Sequence, residues 1–295
     1  MNDAPKRSFS VNPSEYPFDS HWLERNGSHI HYLDEGDGLP VIMLHGNPTW
    51  SFLYRKVIKQ LGGACRSIAL DYPGFGFSDH PPGYGYTPKE HAEWVDALID
   101  HLALEHFILV VQDWGGPIGL SIAANRPDMV AGLVICNTWS WPMDQALLRI
   151  FSAVLGGSIG KYLILRYNIF VKRLAPFSNE IKSSEAFRAY TDPFPTPPSR
   201  LGTYIFPREI VKSADWMASI EAKLHLLADK PVELVWAMKD LTFGNEETIA
   251  RWHNYFPDAP VDRIPDAGHY LQEESPDRVA AAIRRLLKRL NRSGT

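Results

Sequence analysis

Val110-Val111-Gln112-Asp113-Trp114-Gly115-Gly116 is the stretch on which the reading of this sequence turns. An apolar run over 107–111 leads straight into a Gly-Gly step, and 116–125 then reads as a helix stopped by Pro127. Apolar residues without alternation suit a strand buried on both faces. A strand-to-helix turn this sharp strains its central residue and needs small neighbours, which Gly115 and Gly116 supply. Asp113 is thereby held above the carboxyl end of a sheet, where open α/β folds bind ligands, with helix N-terminal N–H groups beside it. A carboxylate there has two readings. It can cap the helix, or it can act as a nucleophile that needs no base, displacing a leaving group from saturated carbon to give an ester.

Outward from this turn the pattern repeats. Strands are expected over 41–44, 67–70 and 133–136, and helices over 51–61 and 88–102, the latter with Pro88 in its first turn. Segments 21–26 and 29–34 read as two strands around a tight turn at Gly27 and Ser28. Buried strands alternating with helices argue for an α/β protein, a mostly parallel central sheet with helices on both faces. From 138 to 216 the apolar positions fit helices only, with a Pro-rich break over 192–198. Alternation resumes with a strand over 232–236, a helix over 246–256, a strand over 261–264 and a final helix over 276–290. The expected organisation is a main domain of residues 20–137 and 217–295, an inserted helical cap over 138–216, and a loosely held N-terminal arm over 1–19.

Composition narrows the function. The chain has 295 residues, 45% of them hydrophobic and 22% charged, which is ordinary for a globular protein. A net charge of -4 offers no basic excess for a polyanion, so nucleic acid is not an expected partner. Two cysteines make no disulfide framework; Cys136, in an apolar run, reads as a small buried hydrophobe. No apolar h-region follows the N-terminal charges and no uncharged apolar stretch approaches about 18 residues, so neither a secretory signal nor a membrane partner is expected. The default location is cytoplasmic.

Three further segments bring chemistry to Asp113. Met43-Leu44-His45-Gly46-Asn47-Pro48 stands at the end of a buried strand, and Asn47 and Trp114 carry amide and indole N–H donors besides their backbones. Asp240 follows the 232–236 strand, and Asp266-Ala267-Gly268-His269 follows the last one. The order Asp113, Asp240, His269 is that of nucleophile, acid and base in hydrolases built on a strand-turn-helix elbow. The other histidines serve as controls. His29 and His31 read as hairpin surface residues without metal-ligand spacing, and His91, His101 and His106 as solvated. Gly74-Phe75-Gly76-Phe77-Ser78 lacks the third glycine of a dinucleotide fingerprint.

Together, His45-Gly46-Asn47-Pro48, the run from Asp71 to Asp79 (DYPGFGFSD), Gln112-Asp113-Trp114-Gly115-Gly116 and Gly268-His269 resemble the haloalkane dehalogenases of the α/β-hydrolase superfamily, over nearly the whole chain from His21. The resemblance implies an α/β-hydrolase fold, no cofactor and no metal. It makes Asp113 the nucleophile, His269 the base, and Asn47 with Trp114 the halide donors. Family members place the triad acid after either of two strands. Here the first position is Asn137, which cannot be anionic, so the resemblance assigns the acid to Asp240. Other members use a cap tryptophan as donor, which keeps Trp139 and Trp141 in view. Trp139, Phe170, Phe206, Pro207 and Leu241 fall where family pockets are lined. The implied partners are a haloalkane substrate, a chloride or bromide product ion and further copies of the chain as a homo-oligomer. The rival readings are an epoxide hydrolase, which would need cap tyrosines from among Tyr162, Tyr167, Tyr190 and Tyr204, a fluoroacetate-type dehalogenase, disfavoured by Trp114 where Arg is typical, and a non-catalytic binder on the same scaffold.

Overall fold

A computed structural model describes residues 9–175 and 177–293. Eight strands form one sheet in the order β1-β2-β4-β3-β5-β6-β7-β8. They are β1 (His21–Arg25), β2 (Ser28–Glu35), β3 (Pro40–Leu44), β4 (Arg66–Leu70), β5 (Phe107–Gln112), β6 (Val130–Cys136), β7 (Val232–Ala237) and β8 (Val261–Ile264). The first two pairings, β1 with β2 and β2 with β4, are antiparallel and the rest parallel. The hairpin turns on Asn26 and Gly27, whose φ values of 54° and 72° are the left-handed pair such a turn needs. The turn therefore lies one residue earlier than expected, and Ser28 joins β2.

Helices cover both faces. α1 (Arg55–Leu61) packs against the C-terminal helix, which also lies on β6 and β7; α2 (Pro88–His101) and α3 (Gly115–Asn125) share the other face. α1 is entered through a short turn, Ser51–Tyr54, where a single helix was expected. α2 begins with a reciprocal cap: Thr87 accepts from the Glu90 N–H while the Glu90 side chain accepts from the Thr87 N–H.

Among the described residues between β6 and β7 the regular elements are all helical, chiefly α4 (Ala146–Gly156), α5 (Ser158–Tyr167), a π-turn at Phe170–Leu174, α6 (Asn179–Ser183), α7 (Ala186–Thr191), α8 (Leu201–Lys212) and α9 (Ala214–Glu221). The expected boundary at 216/217 falls inside α9, which packs on α3. The chain closes with α10 (Glu246–His253), the four-residue α11 (Leu271–Glu274) and α12 (Pro276–Ser293), whose Val279, Ala282, Ile283 and Leu286 face inward.

The loosely held arm is a correction. From Phe9 onward it is packed: Phe9 stacks on Phe77 at 4.6 Å, and Tyr16 is buried with its hydroxyl 2.6 Å from Ser51 Oγ. Aromatic burial outweighs the prolines. Residues 1–8 of that expectation lie outside the described residues.

Candidate active site

Asp113 closes the turn between β5 and α3 with φ 50°, a left-handed conformation that costs energy at a non-glycine residue. Its neighbours hold it there. The Asp113 N–H donates to Asn137 O at 3.2 Å, and Asp113 O accepts from Gly116 N–H at 3.0 Å and from the Thr138 hydroxyl. A Cβ on Gly115 would come within 2.2 Å of Leu44 O, and one on Gly46 within 2.1 Å of Asp113 Oδ1. These two glycines let the β3 loop and the turn meet. As a result the Asn47 N–H donates to Asp113 Oδ1 at 2.9 Å.

His269, carried by the loop after β8, faces that carboxylate. Its Nε2 lies 3.5 Å from Asp113 Oδ2 and its Nδ1 lies 2.8 Å from Asp240 Oδ2. All three residues are largely buried. Burial opposes charge on His269, but Asp240 and Asp113 outweigh it and hold its pKa up at about 10. Asp240 itself would be raised by burial, yet His269 and the backbone N–H groups of Thr242 and Phe243 bring it below the usual carboxylate range.

Two residues given no role by the sequence reading complete the arrangement. The Asn137 amide donates to Asp240 Oδ2 at 3.0 Å and to Ala237 O at 2.9 Å, and its Oδ1 accepts from Ala237 N–H at 2.7 Å. The Asn137 side chain thus holds Asp240, while its backbone carbonyl accepts from Asp113 N–H. Gln112 donates from Nε2 to His269 O at 3.1 Å, and the same nitrogen lies 3.1 Å from His269 Nε2. The carbonyl fixes which end of the amide faces the ring, so its second N–H meets the ring nitrogen and favours a lone pair there. Its place one residue before Asp113 was the available signal.

Of the two expected halide donors, Asn47 meets the Asp113 carboxylate through its backbone and Trp114 follows Asp113 in the chain. Trp114 is buried with its ring edge-on to Trp139 at 4.8 Å and tilted to Phe206 at 5.2 Å. Asn47 Nδ2 makes only a long 3.4 Å contact to Thr203 O, and Trp139 Nε1 is buried without a hydrogen-bond partner. Phe170, Phe206 and Pro207 are buried. Leu241 is not: it is 96% exposed, so its placement in a pocket lining is corrected. The adjoining Asp240 turns inward to His269, leaving the next side chain in solvent.

Two histidine expectations are also overturned. His31 is fully buried, with Nδ1 2.8 Å from Asp71 Oδ2 and Nε2 2.9 Å from Ser20 Oγ. His91 is fully buried, stacked on Phe206 at 5.1 Å with its Nδ1 3.0 Å from the Tyr84 hydroxyl. His45 serves structure: burial drives its pKa down to about 4, its Nδ1 meets Gly46 O, and its Nε2 accepts from Tyr72 N–H. Among the described residues no group of three His, Cys, Asp or Glu side chains is arranged to hold a metal ion.

The tyrosines an epoxide hydrolase would need are elsewhere. Tyr162 and Tyr167 are exposed, and the Tyr190 and Tyr204 hydroxyls donate to Glu273 and to Gly156 O.

Residues 40–276 match the family model of the alpha/beta hydrolase fold. The fold superposes on haloalkane dehalogenase DbeA from Bradyrhizobium elkani with a TM-score of 0.83 and 27% identity, covering 94% of this chain and 99% of that one. Haloalkane dehalogenase 2 of Mycobacterium tuberculosis is 42% identical over 277 residues, 93% of this chain and 97% of the relative. The chain belongs to the haloalkane dehalogenases. It is thus a hydrolase acting on carbon–halide bonds. This dehalogenase is also 35% identical over 293 residues, 92% of the chain and 89% of the relative, to a cis-3-alkyl-4-alkyloxetan-2-one decarboxylase of Shewanella oneidensis.

Proposed function

We propose that the enzyme converts a haloalkane to an alcohol, a halide ion and a proton in two steps on Asp113. Asp113 attacks the halogen-bearing carbon in line, forming an ester as the carbon–halogen bond breaks and the electron pair leaves with the halide. N–H groups of Asn47 and Trp114 receive that charge, with the unpartnered Trp139 Nε1 as a further buried donor. Such donors lower the barrier because their bonds strengthen as charge develops on the leaving atom. Phe170, Phe206 and Pro207 line the apolar side and exclude water, with the helical segment 138–216 acting as the cap.

The second step follows from the electrostatics. In the free enzyme two carboxylates favour the His269 imidazolium. Esterification removes the Asp113 charge, leaving burial and the Gln112 N–H to favour the neutral ring. His269 then takes a proton from water, which attacks the ester carbonyl, and Asp240 stabilises the imidazolium that results. The Asn47 N–H, already on Asp113 Oδ1, stabilises the oxyanion. The ester C–O bond breaks with the alcohol leaving, and the proton passes on to solvent. The two buried thiols fit a reducing, cytoplasmic compartment.

The observation that carries this reading is Asp113 at φ 50° with its carboxylate shared between Asn47 N–H and His269. His269→Phe treated with a bromoalkane is expected to accumulate an alkyl adduct on the peptide holding Asp113, read by intact-mass and peptide mass spectrometry. A folded variant without adduct contradicts the nucleophile assignment. The decarboxylase relative supports a second substrate class, since carboxylate attack on the saturated ring carbon of a four-membered lactone is the same displacement. A side-by-side assay of halide and carbon dioxide release separates the two. Faster carbon dioxide release would move the chain to that chemistry.

A further inference from the structure

α4 is apolar on both sides. Its inner face, with Leu148, Ser152 and Leu155, packs on α8, yet Leu147, Ile150, Phe151 and Val154 point outward, Leu147 being 78% exposed. α5 continues the pattern with Ile159 at 76% exposure and with Tyr162. An exposed stripe with this spacing over consecutive helices is more than scattered surface hydrophobes and marks a contact surface.

The charge around the stripe names the partner. Segment 145–178 holds Arg149, Lys161, Arg166, Lys172 and Arg173 and no Asp or Glu, a local +5 within a chain of net charge -4. None of these five makes an ion pair among the described residues. Beside the stripe a groove of about 460 Å³ between α4 and α8 has Arg149, Arg208 and Lys212 on its rim and Ile150 and Val211 in its wall. Arg208 Nε is buried there without a hydrogen bond, 3.8 Å from Glu209 Oε1.

We infer that the outer face of α4 and α5 rests on an anionic phospholipid surface. The apolar side chains would enter the headgroup–acyl boundary, and the groove cations would hold lipid phosphates. Apolar residues flanked by cations are the composition of a helix lying in the interface. Among the described residues no single helix is long and apolar enough to cross a bilayer, and these two bend by 65° and keep Leu155 and Ile164 packed inside the protein. The expectation of no membrane partner rested on the absence of a span, which does not bear on surface contact. A second copy is the poorer occupant, because a two-fold contact would set this unpaired positive face against itself. One consequence rests on the dehalogenase reading: an apolar substrate concentrates in the bilayer next to the cap. Lipid binding is measured without substrate, so the two readings fail separately.

The test is sedimentation of the full chain with vesicles of phosphatidylcholine alone or with about one-third phosphatidylglycerol. Binding is expected to the anionic vesicles only and to fall as salt rises. Ile150→Ser/Val154→Ser should weaken it, and Arg149→Gln/Arg208→Gln on the order of tenfold, since each basic group near a charged leaflet strengthens attraction several-fold. Both variants are expected to keep the circular-dichroism spectrum and thermal unfolding midpoint of the unmodified chain, which shows that they are folded. Failure of the unmodified chain to bind anionic vesicles at low salt overturns the inference, as does binding that neither variant weakens. A dimer seen by light scattering that Ile150→Ser/Val154→Ser dissociates, without vesicle binding, assigns the face to a second copy and also overturns it.

Discussion

At the residue scale the chemistry turns on the proton of His269. Two carboxylates and one amide compete for its ring: Asp240 at 2.8 Å and Asp113 at 3.5 Å favour the cation, and the Gln112 N–H at 3.1 Å favours the free base. In the proposed mechanism the Asp113 charge therefore helps set the base, and forming the ester shifts the ring toward its neutral state. Gln112→Glu replaces the opposing N–H with a third carboxylate. It is expected to keep His269 protonated in the ester, so rapid-quench kinetics should show a burst of about one halide per site followed by slow turnover. The pH at which ester hydrolysis becomes fast should also move up. A variant with an unaltered profile would remove Gln112 from this role. That these three residues meet was legible because each follows a strand, directly or within a short loop, in a known chain order. Gln112 and Asn137 stood in view as neighbours of assigned residues, but their contacts span long sequence separations that no local pattern encodes.

At the scale of elements, the strands were legible because burial on both faces leaves unbroken apolar runs. Segment 41–44 lies within β3 and 107–111 within β5, whereas β8, Val261-Asp262-Arg263-Ile264, buries only Ile264 and was placed by its position after the preceding helix. Polar groups buried by distant partners were not legible. His31 is satisfied by Asp71, forty positions on, although the alternation His29-Ile30-His31-Tyr32 reads as one solvated face. His91 did carry a signal, because it shares the helical face of Trp94, Val95 and Leu98 in α2. Leu241 misled because sequence adjacency to Asp240 says nothing of side-chain direction in a loop. The ends of β6 and β7 are joined by the Asn137 side chain, which serves both backbone groups of Ala237 as well as Asp240. Asn137→Ala leaves those buried groups unpaired and is expected to cost about 2 kcal/mol in denaturant unfolding. Loss of well under about 1 kcal/mol would contradict that accounting.

Across the whole molecule, a buried ion pair ties the helical segment between β6 and β7 to the helices flanking the sheet. The Arg55 guanidinium, on α1, donates to both oxygens of Glu273, on α11; Glu273 also accepts from the Tyr190 hydroxyl of α7, and Arg55 reaches Glu15 in the N-terminal arm. Burial would raise the Glu273 pKa, but Arg55 and Tyr190 bring it below its ordinary 4.5. A carboxyl depressed in the folded state stabilises it fully above 4.5, and that contribution fades as pH falls through the depressed value. Glu273→Gln is expected to cost about 3 kcal/mol or more at neutral pH, with the gap to the unaltered protein closing in acid; a gap that does not change with pH would refute the linkage. Whether Asp113 bonds covalently to substrate carbon is decided by a single turnover in ¹⁸O-water with enzyme in excess. Water attacking the ester carbonyl must leave its oxygen in the Asp113 carboxylate while the alcohol keeps an unlabelled one. Label in the Asp113 peptide is the predicted result; label in the alcohol with an unlabelled Asp113 would rule that bond out.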